Sequence, residues 1–408
     1  MGNIIVATPK GFRDYLPANA LKRKFVLDKI KAAFQKFGFD PLETPALEYA
    51  TTLKGKYGEE EKLIYEFKTP GGDEVALKYD QTVPLARVVA QYGPAGSQIL
   101  PIPFKRYQIQ PAYRGESPQK GRYREFLQCD ADIIGISTPL ADAEILALVF
   151  EIYKSLGLDV VIKINDRNLL NGIDPKYLAA IDKLNKIGES GVLKEMEAKG
   201  LEPIKAEELF KKVTAMVPTD NLITIMKLYQ QMGYSPDTIR YDPTLIRGLD
   251  YYTGMIVEAV LKNNPASSSL GGGGRWDKMI GKFTGTDLPA VGFSVGLDRT
   301  IEAMEEAEVL AVPSTQTRVL VTIFSPELAE KSLNAVSLLR QRGINSEIWL
   351  DPYSKLDKQL KYADQKKIPY AVIIGPEEAE KDLVALKDLA NKTQTTLPLD
   401  EAVKKLSS

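Results

Sequence analysis

The sequence predicts a multidomain protein of mixed α/β and α+β class, and three features carry that expectation. Strand-like runs, joined by turn residues and interspersed with helices, fill residues 40–134. From about residue 172 to 233 the chain is rich in Lys and Glu, keeps helical periodicity and has no strand-like run. After AVPSTQT at 311–317, which reads as a linker, strands and helices alternate, the mark of a mostly parallel sheet covered by helices. The length of 408 residues accommodates two to four domains of roughly 100–200 residues each.

Taken in order, LKRKFVLDKIKAAFQKF (21–37) repeats its apolar residues at helical spacing, and Gly38 is a natural helix stop. FDPLETPALEY, with two prolines, predicts an extended segment. Residues 62–70 and 74–79 predict a hairpin turning at Gly71-Gly72. TVPLARVVAQY (82–92) predicts a helix with Pro84 in its first turn. Strands are expected over 101–114 and 124–134, then an apolar helix over 139–156. Residues 251–260 are strand-like, a glycine run SLGGGGRWD follows, and 291–306 predict a strand running into a helix. RVLVTIF, NSEIWL and YAVIIG are the strands of the last domain.

Composition removes several chemistries. There is no histidine, so a histidine base, a Ser–His–Asp triad and histidine metal ligands are excluded. One cysteine, Cys129, excludes an intrachain disulfide and, with no histidine, a zinc site of the usual N/S type. A net charge of −1 argues against broad neutralisation of a DNA backbone, though not against a local basic surface. The N-terminus lacks a charged start with a long apolar run, and no stretch approaches the ~20 apolar residues of a membrane span. A cytoplasmic protein with no membrane or DNA partner is expected.

Four segments concentrate residues fit for chemistry. YRGESPQKGRYREF (113–126) packs Arg114, Glu116, Lys120, Arg122 and Arg124 around a polar loop; an Arg at a strand end can fork onto phosphate, although an ordinary charged hairpin is the plain alternative. LQCDADIIG (127–135) places Gln128, Asp130 and Asp132 on one strand face, as a pocket lining or a solvated side. IRGLDYYTG (246–254) offers Arg247, Asp250, Tyr251 and Tyr252, or else a turn with two packing tyrosines. GGGGRWD and VGFSVGLDR combine backbone that admits close ligand approach with Arg299, a nucleotide-phosphate candidate or a surface arginine. The run matches neither a dinucleotide nor a Walker loop.

Together these segments resemble the class II aminoacyl-tRNA synthetases, and within them the histidyl-tRNA synthetases. TPKGFRDYLP resembles the family's opening, FGFDPLETPALEY motif 1, YRGE with its loop motif 2, and VGFSVGLDR motif 3. IRGLDYYTG and GGGGRWD resemble the two segments that mark the histidine enzymes, and KQLKYADQKKIPYAVIIG their anticodon-binding domain. The resemblance implies a catalytic domain on a mainly antiparallel sheet in two parts, 1–165 and 241–312. Between them lies a helical insertion at 166–240; a linker at 313–317 leads to an anticodon-binding domain at 318–408.

It also implies roles. Asp80, Gln81 and Thr82 match the segment holding the amino group of histidine. Gln128, Asp132, Tyr251 and Tyr252 match the pocket, with Asp132 facing the imidazole. Arg114 and Arg247 match arginines that bind the α-phosphate and also belong to the histidine site; with Gln128 they form the expected catalytic set. Glu116 matches an acid near adenine, Arg299 the γ-phosphate arginine, Gln119 a contact to the tRNA acceptor end, and Pro45 the interface of a homodimer. ATP with Mg²⁺, L-histidine and tRNA(His) are the implied substrates, with no metal held by His or Cys. Gln81 stands where Leu is common and Trp276 where Tyr is usual. A regulatory paralogue in histidine biosynthesis, the nearest alternative, usually lacks both the IRGLDYYTG-type segment and the C-terminal domain.

Overall fold

The computed structural model describes residues 5–119, 121–247, 251–264 and 269–407, so Lys120 and Asp250 lie outside the described residues. The chain divides into two compact units, Met1–Asp14 with Phe25–Leu310, and Tyr15–Lys24 with Ala311–Ser408.

The first unit is built on strands β1 (Asp40–Pro41), β2 (Leu47–Tyr49), β3 (Glu66–Lys68), β4 (Glu74–Leu77), β5 (Phe104–Tyr113), β6 (Glu125–Ile134), β7 (Val160–Asp166), β8 (Ile239–Tyr241), β9 (Met255–Leu261), β10 (Gly271–Arg275) and β11 (Ala290–Gly296). Eight of them form one sheet in the order β1-β5-β6-β11-β10-β9-β7-β8. Every pairing from β5 to β7 is antiparallel, while β1 on β5 and β8 on β7 are parallel edges. The predicted hairpin exists as β3 and β4, joined by β2 into a small antiparallel sheet. Gly72 takes φ +92° in its turn, a conformation that excludes most side chains.

The helix Pro139–Ser155 is almost wholly buried because its apolar residues surround it, and Pro139 opens it where no backbone N–H is needed. It packs on β7 and β11 with Val26, Ile30 and Phe34 in the same core. That core explains one departure from the sequence-based division. The helix Asp220–Gln231 buries Leu222, Ile225 and Tyr229 against Pro139–Ser155, and β8 extends the large sheet. Both belong to the main core although the helix and most of β8 fall within 166–240. The inserted helices Pro175–Ile181, Leu184–Ala198 and Pro203–Thr214 have their own core of Leu178, Val192, Met196, Phe210 and Val213. Periodicity marks a helix but not which core its apolar stripe joins.

The second unit holds β12 (Val319–Val321), β13 (Ser346–Ile348), β14 (Tyr370–Ile373), β15 (Val384–Asp388) and β16 (Thr393–Leu397), in the order β13-β12-β14-β15-β16. The first three are parallel as the alternation predicts. β15 and β16 add an antiparallel hairpin; in Thr393–Leu397 only Leu397 is buried, so the sequence carries little signal there.

Candidate active site

A cleft with a volume of about 490 Å³ opens on one face of the large sheet, between β6, β11, β10 and β9. Alternation along β6 sends Gln128, Asp130 and Asp132 into it, as the period of two requires. The glycine run is no loop. It is β10, held between β9 and β11, and its missing side chains make room for those of its neighbours. A Cβ at Gly272 would stand 2.0 Å from Nη1 of Arg247, and one at Gly292 1.9 Å from Oδ1 of Asp132. Bare backbone on β10 thus seats an arginine, and on β11 a carboxylate.

Arg114 and Arg247, distant in sequence, both line this cleft. Arg114 leaves the end of β5; its Nε donates to the Tyr79 carbonyl at 3.1 Å, and its guanidinium lies 4.4 Å from the Tyr79 ring centre. Such stacking holds a cation without removing its fork of donors. Glu116 accompanies it, with oxygens 3.9 Å from Arg114 and 3.6 Å from Arg122. Arg247 is paired with Glu258 at 2.7 Å, and Glu258 sits directly across the ladder from Gly272. Arg299, near the start of Leu297–Glu306, donates Nη1 to the Ser269 carbonyl at 2.9 Å; burial, with Arg122 adding to it, pulls its proton affinity down.

At the closed end, Asp80 accepts from the Tyr57 hydroxyl at 2.9 Å and from the Val83 N–H at 3.1 Å, and burial raises its pKa. Thr82, Tyr251 and Tyr252 line the same space, the two rings 4.9 Å apart. Asp132 is held by the fully buried Arg106 at 2.7 Å and by the indole N–H of Trp276 at 3.2 Å. Trp276 is therefore part of the floor. Asp130 is driven up to about 7, first by burial, against the pull of Arg106 and with the push of Asp132.

Gln81 is the exception among the expected pocket residues. Its amide donates to the carbonyls of Gln110 at 2.7 Å and Gln128 at 3.3 Å, so it pins β5 and β6 from behind and does not line the cleft. A buried amide takes the nearest free carbonyls, which motif matching cannot foresee. Gln119 is exposed, bridged to Arg122 in the loop after β5. Pro45 is also exposed, beside a separate groove of about 740 Å³ lined by Leu42, Leu47, Tyr49, Val88 and Ile99 among others.

Sequence reasoning missed Arg106, Tyr57, Glu258 and Asp182. Asp182 reaches the cleft from the inserted helices. Two signals were readable: Arg106 alternates with Gln108 and Gln110 along β5, and Glu258 is the lone acid in the apolar run MIVEAV. A charge inside a strand-like apolar run implies a partner across the ladder.

Comparison with known proteins gives the chain its relatives. A histidyl-tRNA synthetase family model matches residues 11–199 and 167–300, and an anticodon binding domain model matches 318–408. The histidine–tRNA ligase of Cytophaga hutchinsonii is 38% identical, with 98% of this chain and 98% of that protein covered. The histidine–tRNA ligase of Aeropyrum pernix is 40% identical, over 97% of this chain and 96% of its own length. The crystal structure of histidyl-tRNA synthetase from Nostoc sp. PCC 7120 has a TM-score of 0.83 at 31% identity, covering 99% of this chain and 100% of that one. On matches of this extent, the chain belongs to the histidyl-tRNA synthetase family.

Proposed function

We propose that the cleft runs both halves of the histidine–tRNA ligase reaction, with Arg114 and Arg247 on the α-phosphate of ATP and the floor around Asp132 receiving the imidazole. In the first half, a carboxylate oxygen of histidine attacks the α-phosphorus and pyrophosphate departs, leaving histidyl-adenylate. The two guanidinium groups stabilise the charge gathering on the phosphoryl oxygens, in a site that holds them before the reaction starts. ATP enters as its Mg²⁺ complex, the ion carried chiefly by phosphate oxygens. Arg299 takes the γ-phosphate end, and Glu116 lies beside the adenine.

In the second half, the terminal ribose hydroxyl of tRNA(His) attacks the carbonyl carbon and AMP leaves. The chain has no histidine to act as base, and a phosphate oxygen of the adenylate takes the proton. Asp80 and Thr82 hold the α-ammonium, Gln128 steadies the carboxylate, and Tyr251 and Tyr252 enclose the ring. Buried polar groups reject apolar isosteres strongly, because a wrong side chain leaves them unpaired. Gln119 meets the acceptor end.

The observation that carries the reading is the pair Arg114 and Arg247 on one cleft whose floor holds Asp132. The test is amino-acid-dependent ATP–pyrophosphate exchange across the twenty amino acids. Histidine alone is expected to support exchange, and Arg114→Ala or Arg247→Ala to lower it by roughly 10²–10³-fold. Exchange that ignores histidine, or survives both substitutions, sinks the assignment.

The domain roles follow the same reading. Residues 1–165 and 241–312 form the catalytic part, 166–240 the insertion, and 318–408, after the linker 313–317, bind the anticodon. Pro45 and the apolar groove beside it support a homodimer interface. Among the described residues no helix is long and apolar enough to cross a membrane. We place the reaction in the cytoplasm, with its ATP and tRNA.

A further inference from the structure

Asp132 is already engaged at each oxygen: Trp276 Nε1 donates to Oδ1, and the Arg106 guanidinium is ion-paired with Oδ2. Asp130, two residues earlier on the same face of β6, is placed differently. It lines the cleft, is 4% exposed, and its Oδ1 is buried with no hydrogen-bond donor among the described residues. A buried acceptor left open toward a cavity calls for a donor from the ligand. Side chains two residues apart on one strand face lie ~7 Å apart, a span that a flat ring with an N–H at each end can bridge.

The charge balance points the same way. Asp80, Asp130 and Asp132 are all buried, while the fully buried Arg106 is committed to Asp132. The α-ammonium of histidine answers Asp80; Asp130 feels Arg106 and Lys78 only at a distance, with no cation in ion-pair contact among the described residues.

Resting on the reading above, we propose that Asp130 is a second specificity-determining carboxyl of the histidine pocket, accepting one ring N–H while Asp132 accepts the other. The bound ring then shares one proton with Asp130, as imidazolium against carboxylate or imidazole against carboxyl. The groups facing Asp130 are Arg106 from β5, Asp132 on its own strand, Ser294 from β11, and Asp80 and Lys78 from the segment after β4. With Asp130 at about 7 in the empty pocket, binding above that pH must take up a proton, because both partners start without it. Binding well below it must release one. Histidine affinity is therefore greatest near neutrality.

The experiment is calorimetric titration of the full-length protein with L-histidine, from pH 6 to 8.5, in buffers of different ionisation enthalpy. The wild type is expected to take up close to one proton per histidine at the alkaline end. Asp130→Asn is expected to take up none and to bind histidine about tenfold or more weakly. Wild-type binding with no proton exchange at any pH overturns the proposal without any variant. So does an Asp130→Asn protein that binds and takes up protons like the wild type. If the wild type binds no histidine at all, the ligase reading itself fails, which is a separate result.

Discussion

Gly272 and Asp130 show how much rests on single positions. Gly272 has a conformation that alanine can adopt, but its Cβ would intrude on the Arg247 guanidinium. Gly272→Ala is expected to fold, with circular dichroism unchanged, yet to lose adenylate formation by roughly 10²–10³-fold, the range for removing one preorganised donor. Pyrophosphate exchange measures it; a near-wild-type rate would mean that Arg247 is not held there. Asp130 binds its proton more tightly folded than unfolded, so stability falls as pH rises from about 4 toward 7. That cost is absent below the unfolded value and complete above about pH 7, reaching at most about 4 kcal/mol. The Tm of Asp130→Asn should therefore exceed that of the wild type by more at pH 8 than at pH 5. Much of this site was legible beforehand, because a period of two on β6 fixes which side chains share a face. The partners of Arg106 and Gln81 were not: alternation along β5 marks Arg106, but a linear pattern does not show that Asp132 lies opposite it, nor that Gln81, at the start of a helix, meets the carbonyls of Gln110 and Gln128.

Elements that look alike in sequence serve different cores. The helix Asp220–Gln231 begins with Thr219, whose hydroxyl accepts from the Leu222 N–H and also donates to Asp166 at the end of β7. This cap fastens the helix to the large sheet. Thr219→Ala is expected to cost about 1 kcal/mol of stability in the whole first unit. Val213→Ala, by contrast, should open only the inserted helices. Hydrogen exchange would show faster amides over 175–214 while those of β9 stay protected, and loss of protection in β9 would contradict the division of cores. The long helices of the first unit were readable, Thr82–Tyr92 to the residue, while the short ones Ala50–Leu53 and Gly281–Thr284 were not. What sequence could not supply was allegiance: amphipathic stripes of similar strength lead one helix into the main core and its predecessors into a core of their own.

At the scale of the molecule, each unit has its own apolar core, Val319, Val321, Leu339 and Val372 being among those that centre the second. The parallel half of that second sheet was readable because β-branched runs alternate with helical ones; the closing hairpin was not, because an exposed edge strand needs no apolar alternation. The composition of the whole chain has its own consequence. Translating it consumes no histidine, so its synthesis continues when charged tRNA(His) is scarce. A host relying on this gene is expected to outgrow, under histidine limitation, the same host carrying a version with several surface histidines introduced. Equal growth ends the idea.

The strand without side chains at the centre of the sheet has an evolutionary implication. Its neighbours depend on vacancy there, but in two ways: a Cβ at Gly272 meets the Arg247 side chain, whereas one at Gly271, Gly273 or Gly274 meets backbone of β9 or β11, so saturation mutagenesis of 271–274 should leave soluble but inactive protein chiefly at 272. A lineage can lose catalysis at this strand by gaining a single methyl group, and recover it only by giving that methyl group up.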